Sequence, residues 1–268
     1  SGRSTDFISP SFGYGCLYNC SYCYMKRHKP TGLSVATNTG DILTEINNHA
    51  YFTPVEKPNQ THADYTTYDI SCNEDFALHY KMHEWERIFE FFRDHPIAMG
   101  SFATKYVNPN LINFDPQGKI RIRFSLMPQY MSTLHEPGTS KIIDRIKAIN
   151  AFIDAGYSVH INFSPVIVED NWLEDYEELF TMVNDYVDYK DQVLAEVIFL
   201  THNEKKHEEN LVKHRETEVH LWNPAIQEEK VSQYGGTNIR YARHLKYIDA
   251  FKALHEKIIP WNTIRYIF

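Results

Sequence analysis

Three of the chain's four cysteines fall within eight residues: Cys16, Cys20 and Cys23, spaced C-x3-C-x2-C in the stretch Gly15-Cys16-Leu17-Tyr18-Asn19-Cys20-Ser21-Tyr22-Cys23-Tyr24. Three thiolates on one short loop can hold three corners of a cubane iron–sulfur cluster and leave the fourth iron without a protein ligand. An iron left open is a place for a cofactor or substrate to bind and receive an electron. Zinc is the competing use; it usually takes C-x2–4-C pairs with a second Cys or His pair downstream, and His28 offers one remote ligand. A disulfide framework fits less well, because the polar N-terminus Ser1-Gly2-Arg3-Ser4 is no secretory signal and three clustered cysteines cannot all pair. The fourth cysteine, Cys72, stands outside the pattern. A solitary cysteine is most often a small buried hydrophobe.

The elements that must position these residues alternate between strand and helix. Strands are expected over Ile8–Gly15, Tyr68–Cys72, Phe102–Lys105, Ile120–Leu126, Ser158–Phe163, Leu194–Leu200 and Thr263–Phe268. Between them, apolar residues recurring at three and four predict helices over Asp41–Ala50, Leu78–Arg93, Lys141–Ala155, Trp172–Tyr186, Asn203–Arg215 and Tyr241–Ile258. Ser140 suits the start of the third helix and Gly156 its end. Lys26–Gly40 and Pro54–Thr67 read as loop. About six strand–helix units predict a parallel sheet with right-handed crossovers, with function at the carboxyl ends of the strands. Cys16, Cys72, Lys105, Ser125 and Ser164 all fall at such ends. Arg121 and Arg123 alternate with apolar residues and are expected to cover one sheet face. The fourteen histidines, His207 and His214 among them, read as solvated.

Composition narrows the class. The chain has 268 residues, 43% hydrophobic and 23% charged, which is ordinary for a globular protein with a sizeable core. No apolar run is long enough to cross a membrane. Four cysteines without an obvious pairing suit a reducing cytoplasm. A formal net charge of -8 gives no general electrostatic reason to bind nucleic acid. Between Asn203 and His220, four Lys/Arg stand against five glutamates, a poor face for neutralising phosphates.

The cysteine spacing, with an aromatic just before the last cysteine, resembles the signature of the radical S-adenosylmethionine superfamily. Within it, the chain is similar to the spore photoproduct lyase family. The resemblance is carried by Gly-Cys-x3-Cys-x-Tyr-Cys-Tyr at 15–24, Cys-x2-Asp at 72–75, Thr-Lys-Tyr at 104–106, Arg-Phe-Ser at 123–125, Glu-Pro-Gly-Thr-Ser at 136–140, Ala-Gly-Tyr at 155–157 and Pro165. It spans about residues 8 to 180, with a weaker echo in Tyr234-Gly235-Gly236 and Tyr266. The family carries an N-terminal domain ahead of its cysteine loop, whereas this chain reaches Cys16 almost at once.

The resemblance implies a partial TIM-like (β/α)6 barrel of parallel strands. It would be one radical S-adenosylmethionine domain over residues 1–268, with a core at about 8–200 and a helical and strand extension at about 201–268. Cys16, Cys20 and Cys23 would hold a 4Fe–4S cluster whose open iron is chelated by S-adenosylmethionine. Reductive cleavage would give a 5′-deoxyadenosyl radical that abstracts a substrate hydrogen. Cys72 stands at the position of the family's hydrogen-atom donor, and Tyr24 matches a tyrosine thought to work with it. Glu74 and Asp75 are expected to keep the Cys72 thiol neutral. Tyr22, Glu74, Lys105, Ser125 and Ser164 are expected to bind the cofactor. Tyr22 would lie against the adenine, Lys105 would pair with the methionyl carboxylate, and Glu74 would meet the ammonium where photoproduct lyases carry a small hydroxyl residue. Repair of a thymine lesion is the leading specific reading, so the partners would be a thymine-containing nucleic acid or nucleotide and an external flavodoxin- or ferredoxin-like electron donor. The chain is expected to be a monomer. The alternatives are the same chemistry on a modified nucleotide, peptide or small metabolite, and a non-catalytic binding protein stabilised by a metal.

Overall fold

The structure, a computed structural model, describes residues 6–29, 31–52, 62–231 and 237–268. Seven strands form one wholly parallel sheet in chain order. They are β1 (Phe7–Ile8), β2 (Thr66–Asp69), β3 (Ala98–Thr104), β4 (Ile120–Leu126), β5 (Ser158–Val166), β6 (Ala195–Phe199) and β7 (Ile264–Ile267). Sequential parallel order is that of a TIM barrel, but β1 and β7 remain open edges of the sheet. The family-implied partial barrel is therefore the observed fold, with seven strands rather than six. The last strand, expected in a C-terminal extension, is the seventh strand of this sheet.

All seven residues of β4 are buried, and their alternation separates two faces. On one side, Phe124 meets Phe152 of the helix Ile142–Asp154, their ring centroids 5.5 Å apart. On the other, Arg123 reaches Asp69 of β2 at 2.7 Å and Glu196 of β6 at 3.3 Å. Neighbouring strands lie about 4.8 Å apart, so one side chain can meet partners two strands away on both sides only across the concave face of a curled sheet. Arg123 is thus a lumen residue, held charged by these carboxylates against the effect of burial. Arg265 and Tyr266 of β7 also converge on Glu196, at 2.7 and 2.6 Å, and carry the network to the sheet's edge.

Several expected elements are divided or displaced. The strand foreseen over Ile8–Gly15 splits: Gly13–Gly15 turns away from β1 and forms an antiparallel hairpin with Leu33–Val35, inside the presumed loop. The helix foreseen over Leu78–Arg93 is three pieces, Phe76–His79, a 3-10 turn Tyr80–Met82 and Trp85–Asp94. Asp75 caps the first by accepting from Leu78 N at 3.2 Å. His79 and His83 both turn inward to Glu74, which gives the break a partner. A second small sheet joins Thr201–Asn203, Gln227–Val231 and Thr237–Tyr241, so the C-terminal helix starts at His244 rather than at Tyr241. The Tyr234-Gly235-Gly236 echo lies outside the described residues.

Candidate active site

A cavity of about 150 Å³ opens at the carboxyl ends of β2 and β3. Cys16, Cys20, Cys23, Tyr22, Tyr24, Cys72, Glu74 and Lys105 all border it, so most of the residues singled out in the sequence converge there. The loop reaches this place through local geometry. Gly15 has φ +112°, a conformation that side chains disfavour, and its N–H donates to Asn73 O at 3.0 Å. That bond ties the start of the cysteine loop to the segment carrying Cys72. Further on, Cys23 N–H donates to Cys20 O at 3.1 Å, closing a tight turn between the last two cysteines.

The four cysteines are free thiols. Burial, with Glu136 nearby, pushes the Cys20 thiol well above its ordinary value, so a thiolate there needs strong local positive charge. Three such sulfurs around one cavity fit the donor set of a cluster with one iron left open. His28, the remote zinc candidate, is exposed on the outer side of the loop, its ring 6.1 Å from that of Tyr24.

Glu136 is the residue that sequence reasoning missed. It follows the helix Gln129–His135, its side chain is buried, and it receives the Tyr22 hydroxyl on Oε1. Its Oε2 accepts from Arg145 Nη2 at 2.9 Å and Ser132 Oγ at 3.0 Å, while Lys105 Nζ lies 3.9 Å from Oε1. Burial works against the carboxylate, but Arg145, Lys105 and Tyr22 outweigh it and hold its pKa below the usual range. Burial likewise opposes the Lys105 charge, yet Glu136 and the Cys20 sulfur raise its pKa. Lys105 Nζ also stands 5.9 Å from the Tyr22 ring centre. A fixed cation therefore faces the thiols. In the sequence Glu136 stood only within the family-like stretch Glu-Pro-Gly-Thr-Ser at 136–140, with no role for its side chain, and its partners come from four separate segments.

Other placements sharpen or correct the expectations. Glu74 borders the cavity, but its Oε2 is engaged by His79 Nδ1 at 3.0 Å and His83 Nε2 at 2.9 Å. Leu17 N–H donates to His79 Nε2 at 3.2 Å, which fixes the proton on Nδ1 and makes that nitrogen the donor to Glu74. The carboxylate is buried between hairpin and helix, and Oε1 has no hydrogen-bond partner among the described residues. Asp75 is also occupied elsewhere: it accepts from Thr104 Oγ1 at 2.7 Å and Lys105 N at 2.9 Å. The acid acting on Cys72 is Asp69, which with local desolvation raises the thiol's pKa. Tyr24 is brought to Cys72, its hydroxyl donating to Cys72 O at 2.9 Å. Ser125 and Ser164 sit at the ends of β4 and β5 but outside the lining of this cavity. Ser125 is buried, its Oγ unpartnered among the described residues, and its carbonyl accepts from Arg145 at 2.8 Å.

The histidines are not generally solvated. His79, His95, His135, His160, His202 and His255 are buried, and His207 is half-buried against a carboxylate.

An open parallel barrel with a three-cysteine loop and a cation-bearing cavity at its carboxyl rim defines the class of protein. The family model described as spore photoproduct lyase matches residues 1–267, and the chain belongs to that family. It is 27% identical over 181 residues to the spore photoproduct lyase of Bacillus subtilis (66% of this chain, 50% of that protein). To that of a Geobacillus species it is 28% identical over 171 residues (62% and 48%). The chain spans about half the length of these curated relatives. Among solved structures it superposes on a mutant spore photoproduct lyase with bound AdoMet and dinucleoside spore photoproduct. The TM-score is 0.84 at 21% identity, over 97% of this chain and 76% of the other.

Proposed function

We propose that this chain is a radical S-adenosylmethionine enzyme that repairs a thymine photolesion by spore photoproduct lyase chemistry. The observation that carries this reading is the meeting of Cys16, Cys20, Cys23, Lys105 and Cys72 around one cavity at the strand ends. When bound, a 4Fe–4S cluster and S-adenosylmethionine supply a 5′-deoxyadenosyl radical that can remove a hydrogen atom from the substrate. Cys16, Cys20 and Cys23 would hold the cluster. Lys105, kept charged by Glu136, would bind the methionyl carboxylate, and the Tyr22 ring, fixed through its hydroxyl, would support the adenine. Glu74 would reach the cofactor's ammonium only through Oε1, which has no hydrogen-bond partner among the described residues. Ser125 and Ser164 would take part from the neighbouring strand ends.

Cys72 supplies the closing step. Its thiol is exposed at the cavity mouth, and its raised pKa keeps the S–H form at neutral pH. That form carries a hydrogen atom to give back to a product radical. Tyr24, whose hydroxyl is at hydrogen-bond distance from Cys72 O, would return a hydrogen atom to the sulfur, its own radical then taking an electron from the external donor and a proton from solvent.

An external one-electron donor of the flavodoxin or ferredoxin kind completes the cycle, with the chain acting as a cytoplasmic monomer. No described helix is long and apolar enough to cross a membrane. The even balance of charge over 203–220 favours a short or already exposed target over an intact duplex, since duplex binding draws on phosphate neutralisation. Anaerobic reconstitution, then dithionite, S-adenosylmethionine and dinucleoside spore photoproduct, tests the reading. The expected products are 5′-deoxyadenosine and unlinked thymines. 5′-Deoxyadenosine without repair would leave the radical chemistry and remove the substrate; zinc at the cysteines and no 5′-deoxyadenosine would remove both.

A further inference from the structure

Away from the cysteine cavity, three donor atoms converge in the segment that follows β6. His202 lies on the strand Thr201–Asn203, His207 on the helix Glu204–Lys213 and Glu218 on the helix Arg215–Leu221. His202 Nε2 is 2.7 Å and His207 Nδ1 2.6 Å from the same oxygen, Glu218 Oε1, and the three atoms lie within 4.8 Å of one another. Both rings address one oxygen, and the other is taken by Asn210 Nδ2 at 2.6 Å.

We propose that His202, His207 and Glu218 hold one divalent transition-metal ion, zinc by donor chemistry, that pins residues 201–221 against the cysteine loop. Two imidazoles and a carboxylate are a common zinc set, with metal–ligand bonds near 2.0–2.1 Å. Tetrahedral geometry at that length separates ligand atoms by about 3.3 Å, so the ion enters if the imidazoles withdraw from Glu218 Oε1 by less than about 1 Å. Some of the support that metal sites need is in place, although His202 Nδ1 has no hydrogen-bond partner among the described residues. Asn210 fixes the carboxylate through its second oxygen. Trp222 stacks on the His207 ring at 4.3 Å and sets its plane. The His202 and Glu218 side chains are buried and that of His207 is 17% exposed, which puts the way in, and a water as fourth ligand, on the His207 side. The carboxylate is buried, and a bound cation would compensate its charge.

The consequence for the rest of the molecule runs through Asn210. Its Nδ2 donates to Ser21 O at 2.9 Å as well as to Glu218, so the amide that orders the carboxylate also grips the loop between Cys20 and Cys23. A metal that fixes Glu218 fixes this grip. The site is independent of what the cysteine loop holds.

The test is metal content of the full chain with its iron–sulfur cluster reconstituted anaerobically, offered micromolar Zn²⁺ and desalted. One zinc per chain is expected beside the cluster iron. Glu218→Gln, which keeps the shape, and His202→Ala should each lose that zinc without losing iron. Equal zinc in wild type and variants, or none in wild type, would overturn the proposal. Should the variants misfold, Co²⁺ in the wild-type chain decides. Nitrogen and oxygen ligation gives visible d–d bands without the intense near-ultraviolet sulfur-to-cobalt transitions; those transitions, or no d–d bands, would sink the site.

Discussion

Gly13 and Glu74 compete for one space: a Cβ at residue 13 would overlap Glu74 Oε1. The glycine is therefore what admits a buried carboxylate beneath the cysteine-bearing hairpin. Glu74 has little room to yield, since His79 and His83 both hold its other oxygen. Gly13→Ala is expected to destabilise the fold by about 1–3 kcal/mol, the range for overpacking a filled interior. Shortening the neighbour removes the clash, so Gly13→Ala with Glu74→Ser should be more stable than the two separate effects predict. Urea unfolding of the four proteins gives the coupling, expected between about 0.5 and 3 kcal/mol. Strict additivity would mean that the two residues do not share the space.

Glu136 and Arg145 form a buried ion pair whose members cannot be removed singly without leaving a bare charge. Glu136→Gln is expected to lower stability by about 3–5 kcal/mol, as breaking one side of a buried pair does. Because Tyr22 and Lys105 lean on the same carboxylate, the variant should also release reconstituted iron faster on dilution. Thermal unfolding and iron retention are the two measurements. A variant as stable as the wild type would show that Arg145 finds another counter-charge.

His135 makes the loop acid-sensitive. Burial, together with His220, lowers its pKa from 6.5 to about 4, and its Nδ1 lies 2.7 Å from Ser21 Oγ. The folded state keeps this ring neutral while the unfolded chain protonates it near pH 6.5. Its contribution is therefore whole above about pH 6.5 and is lost as pH falls towards about 4. The loss would approach about 3 kcal/mol at about 1.4 kcal/mol per pH unit. Chemical unfolding from pH 7 to 4 should show this slope, and His135→Gln should flatten it. An unchanged slope would assign the acid sensitivity to the carboxylates alone.

What was legible beforehand follows from what each signal depends on. The β4 strand and the helix Trp172–Tyr186 were visible to the residue because each keeps a regular period, alternating in a strand with both faces buried and three to four in a helix with one buried face. The cysteine loop was visible because its chemistry depends on spacing. The direction of the Glu74 side chain was not, since it depends on the glycine opposite and on two histidines from a broken helix. Glu136 and Glu218 were hidden for the same reason: a carboxylate's role is decided by which distant cations or imidazoles reach it. Arg121 and Arg123 fit an alternating strand equally well on either face, and only the curl of the sheet settles which.

Tyr24 and Cys72 separate positioning from chemistry. The hydroxyl donates to the Cys72 carbonyl, which Cys72→Ala leaves in place, so this variant should keep the fold and the cluster. It is expected to form 5′-deoxyadenosine at the wild-type rate while its product radical, lacking a thiol hydrogen, ends in wrongly quenched products or adducts. Tyr24→Phe removes a hydroxyl shared between Cys72 O and Asn73 Oδ1 at a partly exposed site, so the stability change should stay within about 0.5–1.5 kcal/mol. If Tyr24 restores the thiol, that variant should match wild type in the first turnover and fall behind in later ones. Single-turnover and multiple-turnover product yields, read beside 5′-deoxyadenosine, distinguish the two roles. Unaltered product from Cys72→Ala would remove the thiol from the reaction, and a Tyr24→Phe enzyme with wild-type later turnovers would leave the tyrosine as a clamp on the loop.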